Sequence, residues 1–419
     1  MKYFLHDFES YRLHIIKTDK FKTISFKIIF SEPVVKEEIT KKNFLADILT
    51  YSSGKYKKRK DLSIALQDLY AMEVFSSCYR IGKLYNMDVV GSFLNEKYTE
   101  KGMFDKSIEL LSEIIFNPNV NNSEFDKESF DRVKELSKNQ IESVKEDTRK
   151  LSLINMLENM GKNEMYSYHG FGYTSDLKKI TMKNLYEYYE KVLTNSKIDI
   201  YILGDVDVNH TIDIIGEKFN FNVSSYKPTQ VIINHNDYRK RIKKVVDKEK
   251  LSQSKLSIGC KMINLSDFER HYVLPIYSII LGGGSDSKLF KTVREKNSLC
   301  YYISSMANKL DNILFITSGI SSINFDKVLK LVKESMKDIE LGKFSIEDID
   351  KAKIQYITML DELQEDPFQI ISAYYSVNSL GYDDIETRIK EIKKVTYDDI
   401  KSISKKIHMD TVYLLKGDE

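Results

Sequence analysis

Three consecutive glycines, Gly282, Gly283 and Gly284, end an apolar helical run; a new helix opens at Ser285 or Ser287 and gives way to strand patterning after Lys296. Glycine lets the backbone take φ > 0 and leaves a path without side chains along which a second backbone can approach. A tight turn between two helices would satisfy the same residues. A phosphate loop would not. Lys288 stands four residues after the last glycine, no Gly-Lys-Ser/Thr follows, and an apolar helix precedes the turn where a strand is required.

Other chemistry is scarce. A helical zinc site needs two histidines about four residues apart on one face, and His6, His14, His169, His210, His235, His271 and His408 offer no such pair. Cys78, Cys260 and Cys300 are odd in number, far apart and without C-x-x-C spacing, as in a reduced cytosolic protein. Cys300 has no activating histidine near it in sequence and reads as a strand cysteine. Ser285 and Ser287 read as helix caps rather than nucleophiles.

The elements that must position these residues belong to a chain of 419 residues, which exceeds one ordinary core and suits two domains of about 200 residues each. Basic and acidic residues nearly balance, 64 against 62, so no strong field argues for nucleic acid or an anionic membrane. The basic run at residues 55–60 reads as a solvated loop. Acidic residues near the N-terminus precede any apolar run long enough for a signal peptide, and no segment approaches the roughly 18 apolar residues of a membrane span, so a cytoplasmic protein is expected.

Residues 23–30 alternate as a strand, and residues 41–51 have helical spacing with Phe44, Leu45, Ile48 and Leu49 on one face. Strands over 73–81 and 85–94 and helices over 104–116 and from 123 to about 146 follow. Residues 222–247 lose periodicity, contain Pro228 and become densely charged, which marks a linker between domains at 1–221 and 248–419. Landmarks then recur. Ile180-Thr181 opens a helix followed by a strand and Gly204-Asp205, and Val395-Thr396 opens one followed by a strand and Gly417-Asp418. A helix–strand–strand–helix block at 62–116 returns at 288–341. Repetition in the same order implies an internal duplication of an α+β domain, each copy a mostly antiparallel sheet packed with helices.

The run from Gly282 through Ser287-Lys-Leu-Phe290 to Val293-Arg-Glu-Lys-Asn-Ser-Leu-Cys-Tyr301 resembles the insulinase-like (pitrilysin, M16) metallopeptidase family, whose C-terminal domains carry a glycine-rich turn, Ser-x-Leu-Phe and Val-Arg-Glu-Lys-x-x-Leu-x-Tyr. The resemblance covers nearly the whole chain and implies paired αβ-roll domains. Active members carry His-x-x-Glu-His on the first helix, where this chain has Asn43-Phe-Leu-Ala46-Asp47, and a distant glutamate, whose place the resemblance assigns to Gln140. The resemblance therefore implies a zinc-less member with no catalytic residue and no cofactor of its own. Residues 59–72, Tyr168-His-Gly-Phe-Gly-Tyr173 and 288–305 resemble a zinc-less Firmicute branch associated with elongation factor P aminopentanol modification, a link that nothing in these residues carries.

In two-chain members of the family, one subunit bears the zinc motif and the other keeps the glycine turn and an Arg/Tyr pair. For this chain that implies a non-catalytic subunit of a heteromeric zinc peptidase. Gly282, Gly283 and Gly284 would line a chamber closed over an extended peptide. Arg294 would bind a substrate carbonyl or carboxylate through its planar fork, and Tyr301 would hydrogen-bond the scissile carbonyl region. The implied partners are a zinc-bearing homologue, as a heterodimer, and a peptide, with a homodimer in isolation. The alternative is a stand-alone pseudopeptidase that binds peptides or a protein without proteolysis. In the packing alternative, Arg294 pairs with a nearby acid and Tyr301 fills a sheet.

Overall fold

The structure is a computed structural model and describes residues 1–222 and 230–418; Pro228 of the expected linker lies outside the described residues. The chain divides into two compact units, one of Met1–Ser143, His169–Gln230 and Pro367–Ile371, the other of Val144–Tyr168, Val231–Asp366 and Ser372–Glu419.

In the first unit, strands β1 (Lys2–Asp7), β2 (Arg12–Lys17), β3 (Thr23–Pro33), β4 (Glu73–Ile81) and β5 (Leu84–Leu94) are followed by a short hairpin, β6 (Val120–Asn121) and β7 (Glu124–Phe125), and by β8 (Lys197–Gly204). Six of them form a sheet in the order β1-β2-β8-β3-β5-β4, antiparallel except for the parallel pair β2/β8. The β-branched and aromatic residues of β3, β5 and β8 suit such central strands, and all three are largely buried. Helix α1 (Ile39–Leu49) presents Phe44, Leu45, Ile48 and Leu49 to the core, as its spacing predicts. After it come α2 (Arg59–Asp68), α3 (Met103–Phe116) and α4 (Lys127–Ser143); the ring of Phe130 on α4 lies 4.9 Å from that of Phe44.

Helix α5 (Thr148–Met160) belongs to the second unit, while α6 (Thr174–Leu177), α7 (Met182–Asn195) and α8 (Val208–Lys218) return to the first. This departs from the sequence expectation of one domain over residues 1–221. What assigns α5 to the second is its apolar face, with Met156 and Met160, which packs on the second sheet beside Ile313, Tyr413 and Leu415. Ser152 Oγ lies 2.9 Å from Ser257 Oγ, and Asn155 Nδ2 donates to Tyr413 Oη at 2.8 Å.

The second sheet comprises β9 (Lys243–Lys248), β10 (Ser254–Met262), β11 (Cys300–Asn308), β12 (Ile313–Ile320) and β13 (Ile407–Lys416), in the order β11-β12-β10-β13-β9. Strand β9 occupies the end of the expected linker. It runs parallel to β13, and every other pair is antiparallel. Read from the opposite edge, β9-β13-β10-β12-β11 reproduces β2-β8-β3-β5-β4, including the single parallel pair at the same place. The duplication is therefore topological, and it makes β11 the counterpart of edge strand β4. Helix α9 (Leu274–Gly282) likewise follows β10 as α1 follows β3. Helices α10 (Phe325–Glu340), α11 (Ile346–Glu362), α12 (Pro367–Leu380), α13 (Ile385–Lys394) and α14 (Tyr397–Ser404) complete the α+β architecture. Among the described residues no helix is long and apolar enough to cross a membrane.

Candidate functional site

The residues singled out in the sequence fall in two places, one in each unit. In the first, α1 carries Asn43, Ala46 and Asp47 on successive turns, the spacing a helical metal site would use. Asn43 is buried, and its Nδ2 lies 2.9 Å from the carbonyl oxygens of Ile39 and Gly170 and 2.7 Å from Tyr85 Oη. Tyr85 in turn donates to Gly170 O at 2.6 Å. The loop that brings Gly170 here is held against the start of α1. Tyr173 N donates to Thr40 Oγ1 at 2.9 Å, and Gly172 has φ +83, where a Cβ would collide with that same oxygen and with the Thr40 backbone. His169 stacks on Tyr173 in this loop, with ring centroids 4.9 Å apart.

Ala46 contributes a buried methyl group, and its carbonyl accepts from Ser76 Oγ at 2.8 Å. Asp47 is the one carboxylate of the set. Burial pushes its pKa up to about 6, offset in part by Ser137 of α4. Gln140 is exposed on α4, so the α4 residue that meets Asp47 is Ser137, one helical turn earlier. Zinc requires three or four N, O or S ligands directed at one point. Here one position is a methyl group, one is an amide whose nitrogen is held by carbonyl oxygens, and the residue facing the remaining carboxylate is a serine. These residues do not fit the metal. Among the described residues no group of three or more His, Cys, Asp or Glu is placed to hold one.

Beside Asn43 lies a buried ion pair that sequence pattern does not reveal, Lys42 with Glu32, and the Lys42 ammonium also donates to Tyr85 O at 3.2 Å. Nor does the pattern point to Tyr85, whose hydroxyl closes the Asn43 network from a different strand.

The second place is built by the glycine turn and the residues after it. None of the three glycines takes a left-handed φ, which corrects one of the two uses expected for them. The other use holds at Gly282, where a Cβ would stand 2.6 Å from the backbone nitrogen of Ser305 on β11. The end of α9 thus rests directly on the strand. Gly283 caps α9 with φ −87, and its carbonyl accepts from Gln355 Nε2 at 2.8 Å. At Gly284 a Cβ would meet only the Gln355 amide, at 3.7 Å. Ser287 caps the next helix, accepting from Phe290 N at 3.4 Å.

From Phe290 to Glu295 this helix is wound as a π-helix, with Lys296 N donating to Lys291 O at 3.0 Å. It ends where Ser298 takes φ 51 and donates its N–H to Arg294 O. The guanidinium of Arg294 lies 4.7 Å from the centroid of the Phe290 ring and 6.0 Å from that of Tyr301. These cation–π contacts steady the side chain and leave the edge of its fork free. Arg294 is exposed, and among the described residues no carboxylate pairs with it. Tyr301 is 76% exposed. On β11, Cys300 pairs with Ile320 and Tyr302 with Gly319, so Tyr301 is the extra residue of a β-bulge. A bulge re-aims a side chain that regular pleating would send elsewhere. Neither half of the packing alternative holds: Arg294 has no acid, and Tyr301 does not fill the sheet. Burial raises the pKa of the neighbouring Cys300 thiol although Arg294 opposes the shift, which leaves it a poor nucleophile.

Residues 179–356 match the protein family described as Peptidase M16 inactive domain. The chain is 30% identical over 409 residues to a probable inactive metalloprotease, YmfF, of Bacillus subtilis, covering 97% of this chain and 96% of that one. It is 21% identical over 253 residues to a non-peptidase homolog of Helicobacter pylori, covering 59% of this chain and 56% of the relative. Among solved structures, a conserved protein from Enterococcus faecalis superposes with a TM-score of 0.90 at 25% identity, over 98% of this chain and 97% of the other. A Peptidase M16 inactive domain from Pseudomonas fluorescens gives a TM-score of 0.77 at 13% identity, over 100% and 98% of the two chains, a likeness of fold alone.

Proposed function

We infer the role of this chain from a plain premise: it belongs to the insulinase-like (M16) metallopeptidase family, among its inactive homologues. We propose that it is the non-catalytic subunit of a heteromeric zinc peptidase, and that Gly282, Gly283, Gly284, Arg294 and Tyr301 hold an extended peptide while a zinc-bearing homologue cleaves it. The observation that supports this reading most is the pair of exposed side chains at the bulged end of an edge strand. Arg294 is steadied by aromatic rings and has no carboxylate partner among the described residues, and Tyr301 is turned outward. An arginine fork of this kind is suited to a peptide carbonyl or carboxylate. A phenol beside it can donate to a carbonyl oxygen that gains charge during cleavage. Zinc and the base would come from the partner, and this chain would help to close the chamber. Free thiols at Cys78, Cys260 and Cys300 suit a reducing compartment such as the cytoplasm.

Co-expression with a zinc-bearing M16 homologue from the same genome tests the reading. A stable complex is expected, in which Arg294→Ala lowers kcat/KM for peptides by about 100-fold and Tyr301→Phe by about tenfold. If no complex forms, or if peptidase activity ignores both substitutions, the chain is instead a stand-alone pseudopeptidase that binds peptides or a protein.

A further inference from the structure

A second feature of the same turn is a pocket of about 240 Å³ bounded by Gly284, the helix after it and α11. Its floor is apolar, with Ile279, Ile280 and Ala352. Its walls carry four lysines, Lys288, Lys291, Lys296 and Lys351, against two aspartates, Asp286 and Asp348. One oxygen of the Asp348 carboxylate is held by Ser345, accepting from its N–H at 2.8 Å and its Oγ at 2.9 Å, while Lys291 and Lys288 help to keep the group ionised. Lys291 and Lys351 make ion pairs with the exposed acids Asp286 at 3.3 Å and Glu347 at 2.9 Å, and such pairs yield readily to a better-placed anion. Lys296 has no carboxylate within ion-pair distance among the described residues.

Two observations indicate that this basic wall is built rather than incidental. The first is the π-helix. In an α-helix the residue one turn below Lys291 would be Glu295. The wider turn, closed by Lys296 N to Lys291 O, puts Lys296 there instead, and it is Lys296 that lines the pocket. The local winding thus exchanges a negative charge for a positive one, and π-turns are concentrated at functional sites. The second is Gly284. Neither its φ nor its packing requires a glycine, since a Cβ would find only ordinary contact there. It lines the pocket, and a larger side chain there would take up part of its volume.

We propose that this pocket is an anion subsite that takes acidic side chains of an extended peptide. The proposal rests on the reading that the chain holds a peptide at Arg294 and Tyr301, and it adds the class of peptide selected. The apolar floor accommodates the methylene stem of a glutamate while the lysines meet its carboxylate. Three of the four lysines already pair with carboxylates, Lys288 with Asp338, Lys291 with Asp286 and Lys351 with Glu347, so the wall suits one added carboxylate better than a polyphosphate.

The test uses the intact chain and a short fluorescent peptide bearing two glutamates, compared with the same peptide bearing glutamines. Anisotropy should show the glutamate peptide binding about tenfold more tightly, as for a charge-assisted hydrogen bond, with the preference shrinking at high salt. The double substitution Lys291→Gln, Lys351→Gln and the single substitution Gly284→Leu should each abolish the preference with the melting temperature unchanged. Equal affinity for the two peptides, or a preference that survives both variants, overturns the proposal. So does tighter competition by tripolyphosphate than by the glutamate peptide, which would make the pocket a phosphate site. Acidic-peptide binding without a zinc-bearing partner complex would retain the subsite and reject the heteromeric peptidase. A complex that cleaves acidic and neutral peptides equally would do the reverse.

Discussion

Helices α1 and α9 hold matching places in two sheets of the same topology, and their surroundings differ in kind. Around α1 the groups at Asn43 and Ala46 are drawn inward. Asn43 is tied to Ile39, Tyr85 and Gly170, Ala46 O accepts from Ser76, and a loop with an obligatory glycine lies against the helix start. Around the end of α9 the backbone is packed as tightly, at Gly282 on Ser305, while Arg294 and Tyr301 are left facing outward. A site that has lost its chemistry can be absorbed into the core, because an unpaired buried polar group is costly and is readily replaced by a satisfied one. The exposed groups at the end of α9 carry no such cost, because solvent satisfies them.

The comparison can be broken most forcefully at Gly282. Substitution by alanine should destabilise the chain by about 3 kcal/mol in denaturant unfolding, since the new methyl group meets backbone rather than a movable side chain. A neutral Gly282→Ala would mean that the close approach to β11 is not required. Next in size is Asn43→Ala, expected to cost about 2 kcal/mol by stranding buried partners; no loss would show that the α1 site is not sealed as described.

Asp47 gives an effect of the opposite sign that depends on pH. Its folded pKa is raised to about 6, so its ionised form opposes folding, and the penalty grows as pH rises from the unfolded value toward 6 and is complete above it. Asp47→Asn should therefore stabilise the protein by about 2 kcal/mol at pH 7.5 or so, with the gain vanishing near pH 4. Thermal melts across that range decide it, and a pH-independent difference would remove the role of burial. The smallest effect belongs to the open corner. Tyr301→Phe should change stability by no more than about 0.5 kcal/mol, because the hydroxyl lies in solvent.

The two places were unequally legible. The family resemblance placed the metal positions on α1, and residue identity then sufficed there, because a methyl group at Ala46 supplies no ligand or base in any fold. The third position was less accessible. Helical periodicity fixes which face of α4 turns inward but not its register against α1, and the residue that meets Asp47 is Ser137 rather than Gln140. Helix α5 illustrates the same limit at larger scale. Its apolar stripe announces a buried face, yet only tertiary packing reveals that the face belongs on the second sheet.

What the sequence determined by itself was the duplication, the α+β class and the place of the glycine turn. These follow from order, period and residue type, which are local properties of the chain. Only the tertiary structure decided that Gly282 serves close packing while Gly284 faces a pocket, that the helix after them is wound to present Lys296, and that a bulge turns Tyr301 outward. Each of those depends on which backbone lies opposite, and a linear pattern does not record its partner across space.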